Sequence, residues 1–195
     1  MKFTVDDIKD INSELLNIKV HCNKGVVLDP YLINNLTGVK PRKEYDFDIY
    51  LPKYGVNLQR PYVWEDYQQS EYIISILQER PLDNIIVIQH EPDEGKIVMQ
   101  IVDGKQRLTT IQKFLLGEIP VTINNKKVWW YDFDEDAKRY FKSRLSRITA
   151  VVYYTYDDDN LTDDDKIRLF NFYNFAGTPQ TEEHKNMLKE FLNKQ

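Results

Sequence analysis

The chain has 195 residues, 42% hydrophobic and 29% charged, with a formal charge of -5 at pH 7; this is the composition of a folding chain with one substantial core, and it excludes a disordered one. The acidic balance excludes a chain-wide electrostatic grip on DNA and leaves room only for a local basic stripe. A single cysteine, Cys22, excludes an intramolecular disulfide and a thiolate metal cage, and no segment approaches the ~20 apolar residues of a membrane span, so a cytoplasmic protein without membrane contact is expected.

Met1 to Asp7 holds no apolar signal core. Thr4, three residues before Asp7, starts a helix whose face carries Ile8, Ile11, Leu15 and Ile18. From 25 to 45 the pattern dissolves into turn residues, among them Asp29, Pro30, Asn34, Asn35, Gly38 and Pro41, which predicts a connector with a short helix at most. Residues 45–51 alternate bulky and acidic side chains, the period of a strand with one buried face. Tyr67, Ser70, Ile73, Ile74 and Leu77 mark an amphipathic helix that stops before Pro81. Strands over 84–89 and 96–102 follow as a hairpin around a polar turn.

A helix over 105–116 ends at Gly117, and 119–123 with 128–131 predicts a second hairpin around Asn124 and Asn125. Then come a helix over 134–144, a strand over 148–154, a helix over 162–175 and a last helix over about 181–192. No repeat or composition break divides this α+β order, which predicts one domain, 46–195, preceded by an N-terminal helical extension and connector, 1–45.

The junction at 97–116 carries the chemistry. An apolar strand passes through Asp103 and Gly104 directly into an amphipathic helix, and a helix start offers unpaired N–H groups to an anion. Lys105 and Arg107 place cations in the first turn, where the helix dipole favours acids. Asp103 is suited to hold a divalent cation, Mg²⁺ in particular, or to orient a water, Gly104 to let a ligand approach the backbone, and Arg107 to fork onto phosphate oxygens. The alternative is a tight turn with exposed cations on a surface helix. The spacing fits neither a P-loop nor a Rossmann fingerprint.

A second element, Gln59-Arg60-Pro61-Tyr62-Val63-Trp64, has two readings. Tyr62 and Trp64 stack a base while Arg60 contacts phosphate, or the aromatics are half-buried anchors that fix where the next helix leaves the sheet.

Four elements then stand in order: Gln59-Arg60-Pro61-Tyr62-x-Trp64, the helix from Ser70 to Leu77, Asp103-Gly104-x-Gln106-Arg107-Leu108-Thr109-Thr110, and Asn174-Phe175-Ala176-Gly177-Thr178-Pro179. Together they resemble the N-terminal, GmrS-like domain of GmrSD-type modification-dependent restriction endonucleases, a bacterial and phage family related to the ParB and sulfiredoxin fold. The resemblance spans about 47–188. It implies a mixed sheet with flanking helices, and binding and hydrolysis of ATP or GTP through Asp103, Gly104, Gln106 and Arg107.

Lys105 stands where the family usually carries a glutamine; lysine contacts phosphate but does not orient water as an amide does. By the same resemblance Gln59, Arg60, Thr109 and Asn174 join the nucleotide site. Asp103, Gln106 and Arg107 are the candidate catalytic residues of an NTPase or phosphotransferase. A role in restriction and phage defence follows from the family, with DNA, a separate effector protein or a second copy of the chain as further partners. The alternative is a non-catalytic DNA- or protein-binding regulator that keeps the fold.

His21, His90 and His184 form no metal-binding array, so no nuclease activity is expected from this chain alone. Lys138, Arg139, Lys142, Arg144 and Arg147 follow the acids Asp134, Glu135 and Asp136, the order a helix dipole favours. They predict a solvated, self-stabilised helix, with a DNA-backbone contact as the second reading. Asp163, Asp164 and Asp165 beside Thr162 read as a capped helix start, since the glycine and glutamate of a calcium loop are missing.

Overall fold

The computed structural model describes residues 21–27, 43–93, 96–155, 161–174 and 186. The expected helix over 8–18, that over 181–192 apart from residue 186, which is helical, and the late residues Phe175 to Pro179 lie outside these.

A five-stranded mixed sheet is the frame, in the order β1-β9-β5-β6-β2. It consists of β1 (His21–Val27), β2 (Lys43–Asp46), β5 (Ile85–Asp93), β6 (Lys96–Asp103) and β9 (Thr149–Tyr154). β5 and β6 form the expected antiparallel hairpin, with Val87 opposite Ile101. β9 runs parallel to β5 and β2 parallel to β6. Two short ribbons lie outside the sheet: β3 (Tyr50–Leu51) with β4 (Val56–Asn57), and β7 (Val121–Ile123) with β8 (Lys126–Val128).

Both faces of the sheet are covered. Ile85 and Val87 point to a core shared with α1 (Asp66–Leu77), α2 (Lys105–Leu115) and α3 (Glu135–Leu145), to which Ile73, Ile111, Phe114 and Phe141 contribute. Ile86 and Ile88 point the other way, toward Ile49, Leu51 and Leu58 and toward Ile167 and Phe170 of α4 (Asp163–Asn174). A strand buried on both faces needs an unbroken apolar run, and this one has it at 85–88.

The helix ends follow their caps. Asp134 accepts from the Ala137 N–H at 2.8 Å to open α3, and Thr162 Oγ1 accepts from the Asp165 N–H at 3.2 Å to open α4. Asn124 and Asn125 both have positive φ, 50° and 62°, as a two-residue hairpin turn between β7 and β8 requires.

Three expectations are corrected. Residues 45–51 are not one strand, because Asp46 Oδ1 accepts from the Asp48 N–H at 2.9 Å and turns the chain out of the sheet. Asn57 Oδ1 then holds the Ile49 N–H at 3.0 Å, so Ile49 and Leu51 bury in the second core. The strand expected over 128–131 stops at Val128, and Asp132 Oδ2 accepts from the Trp129 N–H at 2.8 Å to set a 3-10 turn over Trp130–Asp132. That turn puts Trp130 against Phe114, Phe133 and Phe141.

The third correction concerns the N-terminal segment, where β1 is a sheet edge and not connector. Its side chains are almost all exposed and its pairing with β9 is interrupted between Asn23 and Val26, so no alternation marks it in the sequence. The sheet therefore draws strands from both sides of the 45/46 division.

Candidate functional site

The turn from β6 into α2 opens on a cleft of about 350 Å³. Gln59, Arg60 and Trp64 line one side, and Tyr72 of α1 and the segment from Pro81 to Asp83 line another. Val102 to Arg107 form the junction itself, and Tyr173 and Asn174 close it from the end of α4. Of the residues expected to bind nucleotide, Gln59, Arg60, Gly104, Lys105, Arg107 and Asn174 all meet here with Asp103 and Gln106. Thr109, two residues further along α2, is not among the lining residues.

Local geometry fixes the helix start. Gly104 is the residue before α2, with φ 108°, and a Cβ there would lie 2.4 Å from Ile85 Cδ1. Its missing side chain lets α2 start against β5, a packing requirement set by the buried Ile85. No side chain caps α2 and no acid stands in its first turn. The first intrahelical bond of this turn runs from the Leu108 N–H to the Gly104 carbonyl at 2.9 Å, so the preceding amides meet no helical carbonyl.

The side chains of the motif divide into those that hold the cleft together and those that face it. Gln106 is 8% exposed, and its amide is spent on backbone. Oε1 accepts from the Val63 N–H at 2.9 Å while Nε2 donates to the Pro61 carbonyl at 2.9 Å. Gln59 Nε2 donates to the carbonyls of Ile101 and Val102 at 2.6 and 2.9 Å, and Asn174 Nδ2 to those of Val102 and Phe170 at 3.3 and 3.0 Å. These amides set where the 59–64 loop and α4 stand relative to the end of β6.

Two of the three cations are already engaged. Arg107 donates to the Asp83 carbonyl at 2.6 Å and the Asn84 carbonyl at 3.3 Å, and pairs with Asp103 Oδ2 at 2.6 Å. It is a clamp between α2 and the entry to β5 and not a free first-turn cation. Lys105 Nζ pairs with Asp48 Oδ1 at 2.9 Å. Hydrogen bonds from Asn57 first and Lys105 second hold the Asp48 carboxyl below its ordinary value of 3.8. Among the described residues Arg60 makes no ion pair, which leaves it as the cation facing the cleft without an acid.

Asp83 and Asp103 are the carboxylates of the cleft, and no cluster of three or more His, Cys, Asp or Glu suited to a metal occurs among the described residues. Magnesium keeps several waters and is commonly held by one or two carboxylates plus phosphate oxygens, so the donor set fits an ion carried in with a phosphate ligand and not a protein cage.

The chain belongs to the GmrSD N-terminal domain family. The profile of that family, described as GmrSD restriction endonuclease, N-terminal domain, matches residues 40–192, most of the chain and all of the cleft. No curated protein and no solved structure gives a significant match. The GmrSD N-terminal domain seen here is a single α+β domain, and no described helix is long and apolar enough to cross a membrane.

Of the two aromatics in the upstream GmrSD element, Tyr62 is an anchor. Its hydroxyl lies 2.9 Å from Thr110 Oγ1, outside the cleft lining. Trp64 lines the cleft and packs edge-on to Tyr72, with 5.5 Å between ring centroids.

The basic helix faces elsewhere and its charge is largely answered. Lys138 pairs with Glu135 at 3.0 Å, Arg139 with Asp136, and both Arg144 and Arg147 with Glu79, while Lys142 sits 5.9 Å from the Trp130 ring. Lys138 and Arg139 are answered within the helix, while Arg144 and Arg147 reach Glu79 just past the end of α1. Sequence reasoning missed Tyr72, Asp83 and Tyr173. Tyr72 lies within an amphipathic helix and has the pattern of any core aromatic, so periodicity could not single it out.

Proposed function

We propose that the cleft binds a purine nucleoside triphosphate, ATP or GTP, with Mg²⁺, and that the domain is the nucleotide-responsive part of a restriction system. The observation that carries this is the uncapped start of α2 opening onto a cleft where Arg60 stands without an acid partner. Backbone amides and the dipole favour a phosphate at the helix start, and Arg60 complements it from the 59–64 loop. Lys105 and Arg107 would add to that grip by exchanging their carboxylate partners for phosphate oxygens. Mg²⁺ would supply charge neutralisation beside Asp103 and Asp83. Such a domain would work in the cytoplasm, where nucleoside triphosphates are held.

The same geometry favours a second reading for turnover. The Gln106 amide is committed to Pro61 and Val63 and lysine replaces the neighbouring glutamine, so the carboxylates Asp103 and Asp83 are left as the groups able to orient a water. A domain that binds nucleotide without fast hydrolysis, as a regulator of a DNA- or protein-bound partner, fits that commitment.

Thermal unfolding with ATP, GTP and their diphosphates, each with Mg²⁺, tests the proposal. A ligand at 100 times its Kd stabilises the native state by about 2.7 kcal/mol. A shift for a triphosphate that Arg60→Ala removes supports binding, and the absence of any shift overturns it. Phosphate release by the bound protein separates an NTPase from a regulator.

A further inference from the structure

Tyr72 is the residue of the cleft whose chemistry is unaccounted for. Its side chain is 9% exposed, and the hydroxyl has no hydrogen-bond partner. The other buried polar side chains of α1 and α2 are bonded: Gln69 donates to the Trp64 carbonyl at 2.7 Å, Ser70 accepts from the Thr122 N–H at 2.9 Å, Gln106 holds Pro61 and Val63, and Thr110 donates to the Gln106 carbonyl at 2.8 Å. Of the buried side-chain atoms without a partner among the described residues, the Tyr72 hydroxyl is the one belonging to a residue that lines the cleft. Buried polar groups are nearly always paired, so an orphan beside a cleft points to a partner that arrives with a ligand.

The surroundings of the hydroxyl say what that partner is. The charges that act on it are those of Arg107, Asp83 and Asp103, all cleft residues at or beside the start of α2. Burial pushes the phenol up to about 12, so it stays protonated at neutral pH and offers a hydrogen to an acceptor. Trp64 packs edge-on against its ring and helps hold the side chain in place.

We infer that Tyr72 is a ligand-contacting residue of the cleft, its hydroxyl donating a hydrogen bond to an oxygen of the phosphate-bearing ligand at the start of α2. This rests on the proposed triphosphate site and adds to it a residue that no motif of the sequence marks. A hydrogen bond from it to a charged oxygen in a shielded site contributes roughly ten- to a hundredfold in affinity, and the ligand reaches the hydroxyl, which is closed to solvent here, by displacing what covers it. Removing it from the free protein takes away a group that has no partner there, so ligand-free stability is not lowered.

The test is calorimetric titration of the full chain, wild type and Tyr72→Phe, with Mg²⁺-ATP, Mg²⁺-GTP and inorganic tripolyphosphate, together with ligand-free melting of both proteins. The expected result is a nucleotide affinity about ten- to a hundredfold weaker in the variant, with a ligand-free Tm equal to or above that of the wild type. Equal affinities, or a lowered Tm with affinity retained, would make the hydroxyl a structural group and overturn the inference while the triphosphate site stands. Binding of tripolyphosphate alone, weakened in the variant, would overturn the nucleotide reading and leave Tyr72 as an oxyanion donor. A wild type that binds none of the three overturns both.

Discussion

Gln59 and Asn174 donate to the same acceptor, the Val102 carbonyl oxygen, at 2.9 and 3.3 Å. Val102 is the last residue before Asp103, so the loop after β4 and the end of α4 are tied together one residue upstream of the turn into α2. Neither amide nitrogen can donate to a ligand without releasing one of the carbonyls it holds. The two side chains are expected to be energetically coupled, since each alone still leaves the acceptor satisfied. A double-mutant cycle with Gln59→Ala and Asn174→Ala, read by urea unfolding, should give a coupling energy of about 0.5 kcal/mol or more.

Gln106 is bound by shape as well as by charge, because it both accepts from Val63 and donates to Pro61. Gln106→Glu keeps the acceptor and loses the donor, leaving a carboxylate oxygen facing the Pro61 carbonyl. The cost should be about 1–3 kcal/mol in chemical unfolding. A free, solvent-facing amide would show almost none.

Gly104→Ala adds a Cβ that would meet Ile85 Cδ1 at 2.4 Å, on a backbone with φ 108°. Both the overlap and the backbone are unfavourable, and a loss of about 2–4 kcal/mol is expected. Ile85→Val in the same chain removes the Cδ1 methyl but leaves Cγ2 at 3.1 Å, so it should recover most of the overlap part and none of the backbone part, as seen by comparing the single and double variants.

Arg60 and Arg107 separate binding from folding. Arg107→Ala leaves the carbonyls of Asp83 and Asn84 without a donor and Asp103 without its partner, so melting temperature and triphosphate affinity should both fall. Arg60→Ala removes no such contact among the described residues; its Tm should stay within about 0.5 kcal/mol equivalent of wild type while affinity falls.

Asp164 accepts from Lys53 Nζ and from the Tyr54 hydroxyl, and these bonds hold its carboxyl below 3.8. A carboxyl lowered by folding contributes stability that is fully present above the unfolded value and is lost as pH falls through the folded one. The Tm difference between wild type and Asp164→Asn should therefore be constant above about pH 5 and shrink below 3.8. A difference that grows in acid would reverse this sign.

Much of the architecture is legible from local pattern. Helical spacing over 67–77 and 105–116, the Thr162 cap and the Asn124-Asn125 turn act over a few residues, and the elements they announce are in place. Residues 45–51 and β1 were not legible for the same reason. Asp46 and Asn57 override the alternation through side-chain bonds to backbone, and an exposed edge strand has no buried face to imprint a period.

The sequence by itself determined the order of elements from α1 to α4, the family and the segments that carry its motifs, because these depend on neighbours along the chain. Only the tertiary structure decided what each motif residue does. It turned Gln106, Gln59 and Asn174 into backbone ties, made Arg107 a clamp, left Arg60 facing the cleft and brought Tyr72 to its wall. Those roles depend on which atoms of β5, β6 and the 59–64 loop come within 3 Å or so of one another. That is a property of packing two cores against one sheet, which no periodicity encodes.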